Sequence, residues 1–128
     1  MLRIIEVLPN GFIEAQPEQL DDLLGGPALI HLSGRRQPAL FVSLMLHGNE
    51  PTGLFAVQAL LKKYLGRELP RALSIFVGNV SAGRHKLRRL DQQPDYNRLW
   101  GDGDAAEHNM MAEVVVAMRE RGIFASID

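Results

Sequence analysis

His47 and Glu50 are the two residues of this sequence whose types and spacing point most directly to chemistry. They stand three positions apart in the run His47-Gly48-Asn49-Glu50, which follows an apolar segment and precedes Pro51. Imidazole nitrogen and carboxylate oxygen are both good zinc ligands, and a turn between a strand and a helix can aim both at one point. The same residues also fit a structural role, in which His47 caps a strand and Glu50 stabilises a helix N-terminus by up to about 1 kcal/mol. On spacing alone, both roles stay open.

Two further groups of polar residues follow the next predicted strand. The first is a basic stretch at residues 84–89, which can bind an anion or form a solvated loop. In the second, Asn97 stands beside Arg98, and a guanidinium next to an amide offers a planar fork for a carboxylate. Ligands of open α/β sheets gather beyond the carboxyl ends of the strands, so we expect all three groups near one edge of the sheet.

The elements that must position these residues follow from the hydrophobic pattern. Short apolar or β-branched runs predict strands, and apolar residues three and four apart between start and stop signals predict helices. The predicted strands are residues 2–8, 28–33, 38–46, 73–77 and 123–127, and the predicted helices are residues 17–24, 51–66 and 105–121. Residues 34–37 are expected to form a turn, and residues 38–46 a central strand that is buried on both faces. The alternation predicts an α/β fold with a largely parallel or mixed twisted sheet and helices on both faces.

Composition narrows the class of protein. The chain has 128 residues, no cysteine, and 14 basic against 15 acidic residues, for a net charge of −1. One domain of this size can fold without disulfides or a structural metal, and the lack of cysteine excludes thiol catalysis and thiolate zinc sites. No apolar run reaches the roughly 18 residues of a membrane span and no signal peptide opens the chain, so we expect a soluble, cytoplasmic protein.

The charge balance and the last strand also bear on partners. Nucleic-acid binding through residues 84–89 is disfavoured, because the net charge is −1 and that stretch has almost no aromatic residue. The sheet edge expected at residues 123–128 can pair between chains, which would allow a homo-oligomer.

In combination, the motifs resemble those of one enzyme family. The chain carries, in this order, His-Gly-Asn-Glu at 47–50, Gly78-Asn79 with Ala82, then Arg88, then Asp-Tyr-Asn-Arg-Leu at 95–99. This combination resembles the succinylglutamate desuccinylase and aspartoacylase family, whose fold is zinc carboxypeptidase-like. The resemblance covers about residues 39–100, and the motifs are specific jointly but not singly.

The resemblance implies a zinc site. His47 and Glu50 match the family's first two zinc ligands, and Asp95 matches an acidic residue that braces the site without binding the metal. The family's third ligand is a histidine in an Asp-x-His pattern after the strand that here ends at Asp128, and its general base is a later glutamate. We therefore expect these 128 residues to be the N-terminal part of a zinc-dependent catalytic domain, truncated before those two groups.

The resemblance also implies a substrate and a reaction, the hydrolysis of an N-acyl amino acid. Arg88 matches an arginine that polarises the scissile carbonyl or holds the acyl carboxylate, and Asn97 and Arg98 match the pair that grips the amino-acid carboxylate. The interval from Arg88 to Asn97 is slightly longer than in the family pattern, so neighbouring Arg89 is an alternative to Arg88. Two other functions stay open, a metallocarboxypeptidase-like peptidase and a non-catalytic folding or binding unit.

Overall fold

A computed structural model describes all 128 residues, Met1–Asp128. The strands are β1 (Arg3–Ile5), β2 (Ala28–Leu32), β3 (Gly34–Leu44), β4 (Leu69–Val77) and β5 (Ile123–Ile127). The helices are α1 (Leu20–Leu24), α2 (Thr52–Lys63), α3 (Val80–Arg84) and α4 (Ala106–Arg121), with single 3-10 turns at Pro17–Gln19 and Tyr96–Arg98. None of the helices combines the length and the apolar character that a membrane-spanning helix requires.

The five strands form one mixed sheet in the order β1-β2-β4-β3-β5. Three of the four pairings are parallel, and β2 runs antiparallel to β4. The predicted α/β class with a mixed sheet is therefore confirmed. The position expected for residues 38–46 is wrong in detail, because β4 occupies the middle of the sheet and β3 lies between β4 and β5. An apolar run indicates that a strand is buried on both faces. β3 and β4 both carry such a run, so it does not show which of them lies in the middle of the sheet.

The turn predicted at residues 34–37 is also wrong, because these residues begin β3. Gly34 pairs with Leu69 and Arg36 with Arg71, so β3 and β4 both start earlier than the apolar pattern predicts. This part of β3 is largely exposed and therefore has no hydrophobic signal. A Cβ on Gly34 would lie 2.1 Å from the carbonyl carbon of Arg71. The glycine thus permits close approach of two strands instead of forming a turn.

Alternation along the strands gives the sheet two apolar faces. Val42 and Leu44 of β3 belong to a buried cluster with α1 and α2, whereas Ala39 and Phe41 belong to a second buried cluster with α4. The helices contribute Leu54, Val57 and Leu61 of α2 to the first cluster, and Met110, Met111, Val114 and Met118 of α4 to the second. Helices therefore cover both faces of the sheet, as predicted.

The carboxyl ends of β3, β4 and β5 lie side by side at one end of the sheet. Leu44 at the end of β3 pairs with Val77 at the end of β4, and Val42 pairs with Ile127 near the end of β5. The segments that follow β3 and β4, residues 45–51 and 78–98, therefore start side by side. β5 itself is an edge strand of the sheet, and all its residues are exposed.

Candidate functional site

Backbone hydrogen bonds fix the segment that leaves β3. Gly78 N donates to Leu44 O at 3.0 Å and Asn79 N donates to Met45 O at 2.7 Å, so the two segments stay paired beyond the regular strands. Met45 is buried and has a φ of 55°, in the left-handed region that few side-chain-bearing residues occupy. This sharp change of direction leads the chain into the His47–Glu50 turn.

Gly48 lets that turn lie directly against α3 and the loop that follows it. Its N–H donates to Arg88 O at 3.0 Å. A Cβ at this position would lie 2.3 Å from Gly83 N and 2.5 Å from Leu87 O, closer than a Cβ atom can approach backbone. The absence of a side chain thus brings the turn that carries His47 against the loop that carries Arg88.

His47 lies between two carboxylates. Its Nδ1 is 3.0 Å from Glu50 Oε2, and its Nε2 is 2.8 Å from Asp95 Oδ1. The histidine is 6% exposed, so the imidazole is shielded from water, whereas the side chain of Glu50 is 60% exposed and that of Asp95 is 27% exposed. The backbone N–H of Asn97 also donates to Asp95 Oδ1 at 3.0 Å, which fixes that carboxylate at the start of the Tyr96–Arg98 turn.

Arg88 joins the same two carboxylates from the solvent side. One terminal nitrogen lies 3.2 Å from Glu50 Oε1 and the other 3.5 Å from Asp95 Oδ2. Neighbouring Arg89 instead donates to the backbone oxygen of Gln93 at 2.9 Å. Arg88, and not Arg89, therefore contacts the two carboxylates that face His47. We define the four-residue cluster as His47, Glu50, Arg88 and Asp95.

The charges of the cluster shift the pKa values of two members. Burial lowers the pKa of His47, but the hydrogen bonds and charges of Glu50 and Asp95 together raise it more, and the net pKa lies above 6.5. The hydrogen bond from His47 lowers the pKa of Asp95, against a smaller opposing effect of desolvation, and the Asn97 N–H and Arg88 lower it further. The arrangement therefore favours the charged forms of both groups.

The separation between His47 and Glu50 can be compared with the geometry of a zinc site. A zinc ion bound tetrahedrally by Nδ1 and a carboxylate oxygen at about 2.1 Å holds those two atoms roughly 3.4 Å apart. They lie 3.0 Å apart here, so a movement of about 0.4 Å would make room. The contact of Nε2 with Asp95 matches the carboxylate–histidine pair that orients metal ligands. These residues fit two positions of such a site, and no group of three or more His, Cys, Asp or Glu side chains is arranged to hold a metal.

A cavity of about 310 Å³ opens beside the cluster. Its lining includes Ser43, His47, Glu50, Asn97 and Asp128. Ser43 Oγ donates to Asp128 Oδ1 at 3.1 Å, so the carboxyl ends of β3 and β5 are joined at its wall. Among the residues predicted to grip a substrate carboxylate, the structure brings Asn97 to this cavity, whereas Arg98 is exposed and does not line it.

The other three histidines lie apart from the cluster. His31 is buried in β2, where Nδ1 is 2.8 Å from Ser74 Oγ. His85 is exposed at the end of α3. His108 is in α4, and its Nδ1 is buried without a hydrogen-bond partner.

The structure places two further polar residues near the cluster, Asn79 and Gln93. Asn79 stands directly after β4 and belongs to the motif quoted in the sequence analysis, which gave it no role, whereas Gln93 was not singled out. Gln93 lies in an irregular loop, where no periodicity or spacing distinguishes it from Gln92. Only the hydrogen bonds of the folded chain single it out.

No protein-family model, curated protein or solved structure matches this chain. Interpretation of the site therefore depends on the geometry of its residues and on the motif resemblance described above.

Proposed function

We propose that this chain supplies the metal- and carboxylate-binding part of a zinc-dependent hydrolase, with a zinc carboxypeptidase-like fold, that cleaves the amide bond of an N-acyl amino acid. The observation that carries the proposal is the position of His47, whose two ring nitrogens face Glu50 at 3.0 Å and Asp95 at 2.8 Å. Nδ1 faces Glu50, a residue that can bind the same metal ion, and Nε2 is held in place by the carboxylate of Asp95. The order of the motifs along the chain supports the same proposal.

The members of the cluster have different roles in this proposal. His47 and Glu50 are the zinc ligands, and Asp95 orients the imidazole. Arg88 has a half-exposed side chain, so its guanidinium can turn from the carboxylates toward a substrate carbonyl or acyl carboxylate. Zinc held here would lower the pKa of a bound water toward about 7 and polarise the amide carbonyl.

The substrate's amino-acid carboxylate is assigned to Asn97 and Arg98. Asn97 lines the cavity beside the ligands, and Arg98 is exposed at the end of the same turn, so a bound carboxylate could recruit its guanidinium. The proposal also needs a third protein ligand and a general base. In the family pattern these are a histidine two positions after the residue that Asp128 matches and a later glutamate.

Zinc titration against a competing chromophoric chelator tests the metal site. We expect His47→Ala and Glu50→Ala to weaken zinc binding by at least about tenfold, because each removes one ligand. His85→Ala is the matched control, since it removes an exposed histidine that makes no contact with the cluster. Equal zinc affinity in His47→Ala and His85→Ala would contradict the proposed site. Equally tight binding by this chain and by one to which a further histidine ligand has been added would contradict the need for a third ligand.

The reaction is tested, in a chain supplied with a third ligand and a general base, by measuring amino acid released from a panel of N-acyl amino acids and of peptides. Arg88→Lys keeps the charge but loses the planar fork, and we expect kcat/KM to fall about 100-fold. Arg89→Lys is the control, because Arg89 does not contact the cluster. Cleavage of peptides alone would favour a metallocarboxypeptidase, and zinc binding without hydrolysis of either class would favour a binding unit.

A further inference from the structure

The side chain of Gln93 links the loop that carries Arg88 and Asp95 to the edge of the sheet. Its Oε1 accepts from Asn79 Nδ2 at 2.8 Å and from Leu90 N at 3.0 Å. One oxygen atom therefore receives donors from two segments. Since Leu90 is two residues from Arg88, the bond to its N–H limits where the arginine can lie.

The side-chain nitrogen and the backbone oxygen of Gln93 make the remaining polar contacts, one of them beside Asp95. Its Nε2 lies 3.3 Å from Ser81 Oγ and 3.5 Å from Tyr96 OH. Tyr96 directly follows Asp95, so this contact limits the position of the carboxylate that faces His47. The backbone oxygen of Gln93 accepts from Arg89, which turns the neighbouring guanidinium away from the cluster.

Two of these partners are firmly anchored. Asn79 is 1% exposed and caps α3, where its Oδ1 accepts from Ala82 N at 3.2 Å. Tyr96 is 4% exposed and belongs to the apolar cluster beneath α4. In contrast, residues 84–89 are all exposed, so no buried apolar side chain fixes that part of the loop. The polar contacts of Gln93 connect this exposed segment to the buried anchors.

We propose that Gln93 is a positioning residue of the site. It holds Arg88 and Asp95 at the distances from which both reach the His47–Glu50 pair, without touching either side chain of that pair. This inference depends on the proposed function for its significance to zinc binding. The claim that Gln93 maintains the contact between Asp95 and His47 concerns geometry alone. It can be measured whether or not zinc is bound.

The test compares Gln93→Met with Gln92→Met. Both remove an amide from a side chain of similar length, but Gln92 is exposed and makes no side-chain hydrogen bond. The first readout is the low-field proton resonance of the His47 imidazole N–H that faces Asp95, in chain labelled with ¹⁵N-histidine and assigned with His47→Ala. The second is zinc affinity by chelator competition, and the third is the midpoint of thermal unfolding.

We expect Gln93→Met to move or broaden the His47 resonance and to weaken zinc binding by less than the roughly tenfold that loss of a direct partner of a metal ligand costs, because Gln93 acts through Asp95 and Arg88. Gln92→Met should leave both unchanged. Gln93→Glu keeps the acceptor for Asn79 and Leu90, so we expect it to retain the resonance. A Gln93→Met chain that is less stable but has the wild-type resonance and zinc affinity would show a merely structural role and overturn the proposal.

A second variant keeps the test decisive if Gln93→Met does not fold. Gln93→Asn retains the amide but withdraws it by about 1.5 Å, one carbon–carbon bond. A wild-type His47 resonance in that variant would overturn the proposal, and a displaced one would support it. A wild-type chain that binds no zinc even when a third ligand is supplied would contradict the proposed function but leave the resonance test valid, so the two failures are distinguishable.

Discussion

Replacing Gly48 by alanine tests how closely the turn must approach the loop that carries Arg88. The added Cβ would lie 2.3 Å from Gly83 N, 2.4 Å from the carbonyl carbon of Ala82 and 2.5 Å from Leu87 O. Ordinary van der Waals contact begins at 3.4 Å, and 3.4 − 2.3 leaves a required displacement of 1.1 Å. All three opposing atoms belong to the backbone, so no rotation of a side chain can relieve the contact.

The expected cost of Gly48→Ala follows from that displacement. Overpacking of this kind lowers the free energy of unfolding by about 1–3 kcal/mol, and we expect a value in the upper half of the range because the contacts are with backbone. The hydrogen bond from Gly48 N to Arg88 O would also lengthen, moving Arg88 away from Glu50. A misplacement of about 1 Å can cost 100-fold in activity, so zinc affinity and hydrolysis should fall together.

Urea unfolding and zinc titration of the same preparations check this prediction. Gly101→Ala is the matched control, because a Cβ there meets no atom within 4 Å and the residue has no positive φ. We expect that control to unfold within about 0.5 kcal/mol of wild type. A Gly48→Ala chain with wild-type stability and wild-type zinc affinity would refute the inference that close backbone approach assembles the cluster.

Four other substitutions test the brace, one buried histidine and the core. Asp95→Asn keeps the shape of the brace but removes its charge, and zinc affinity measured by chelator competition should fall about 10- to 100-fold. Burial lowers the pKa of His31 from 6.5, so as the pH falls below that value the unfolded chain binds more protons than the folded chain and stability is lost. In His31→Gln, urea unfolding over this pH window should show a smaller loss than in wild type. Met111→Ala should cost about 2–5 kcal/mol of unfolding free energy by cavity formation, whereas Val116→Ala, at an exposed position, should cost less than about 0.5 kcal/mol.

Each of these substitutions has an outcome that would contradict its reasoning. Zinc affinity that is unchanged in Asp95→Asn would mean that this carboxylate does not act as a brace. Parallel pH profiles for wild type and His31→Gln would contradict the lowered pKa of His31 in the folded chain. Equal costs for the two alanine substitutions would contradict the packing of α4 on the sheet.

The convergence of His47, Glu50, Arg88 and Asp95 could be anticipated because it depends on features that leave a pattern in sequence. Buried parallel strands are marked by continuous apolar runs, and residues that follow such strands meet at their carboxyl ends. α4 was predicted within a residue of its bounds for a different reason, its apolar positions three and four residues apart before the stop signal Gly122, and the residues after that glycine match β5. Apolar periodicity, start signals and stop signals were all present there.

The features that escaped prediction depend on contacts between segments distant in sequence. Gly34 resembled a turn residue, yet its role is set by the backbone of Arg71 in another strand. Arg88 was predicted with Arg89 as an alternative, because residue type alone does not separate them; in the structure Arg88 contacts Glu50 and Asp95, and Arg89 donates to the backbone oxygen of Gln93. Such contacts leave no hydrophobic pattern in the sequence. Strand order is missed for a similar reason, because burial does not identify neighbours.

The bridge that Arg88 makes between Glu50 and Asp95 has a consequence for any cation that enters the site. Two carboxylates facing one imidazole would repel each other, yet the guanidinium of Arg88 contacts both of them and supplies positive charge. The polypeptide itself thus offsets part of the negative charge that it gathers here, without a captured ion. Any cation that later enters must compete with an internal partner already in position.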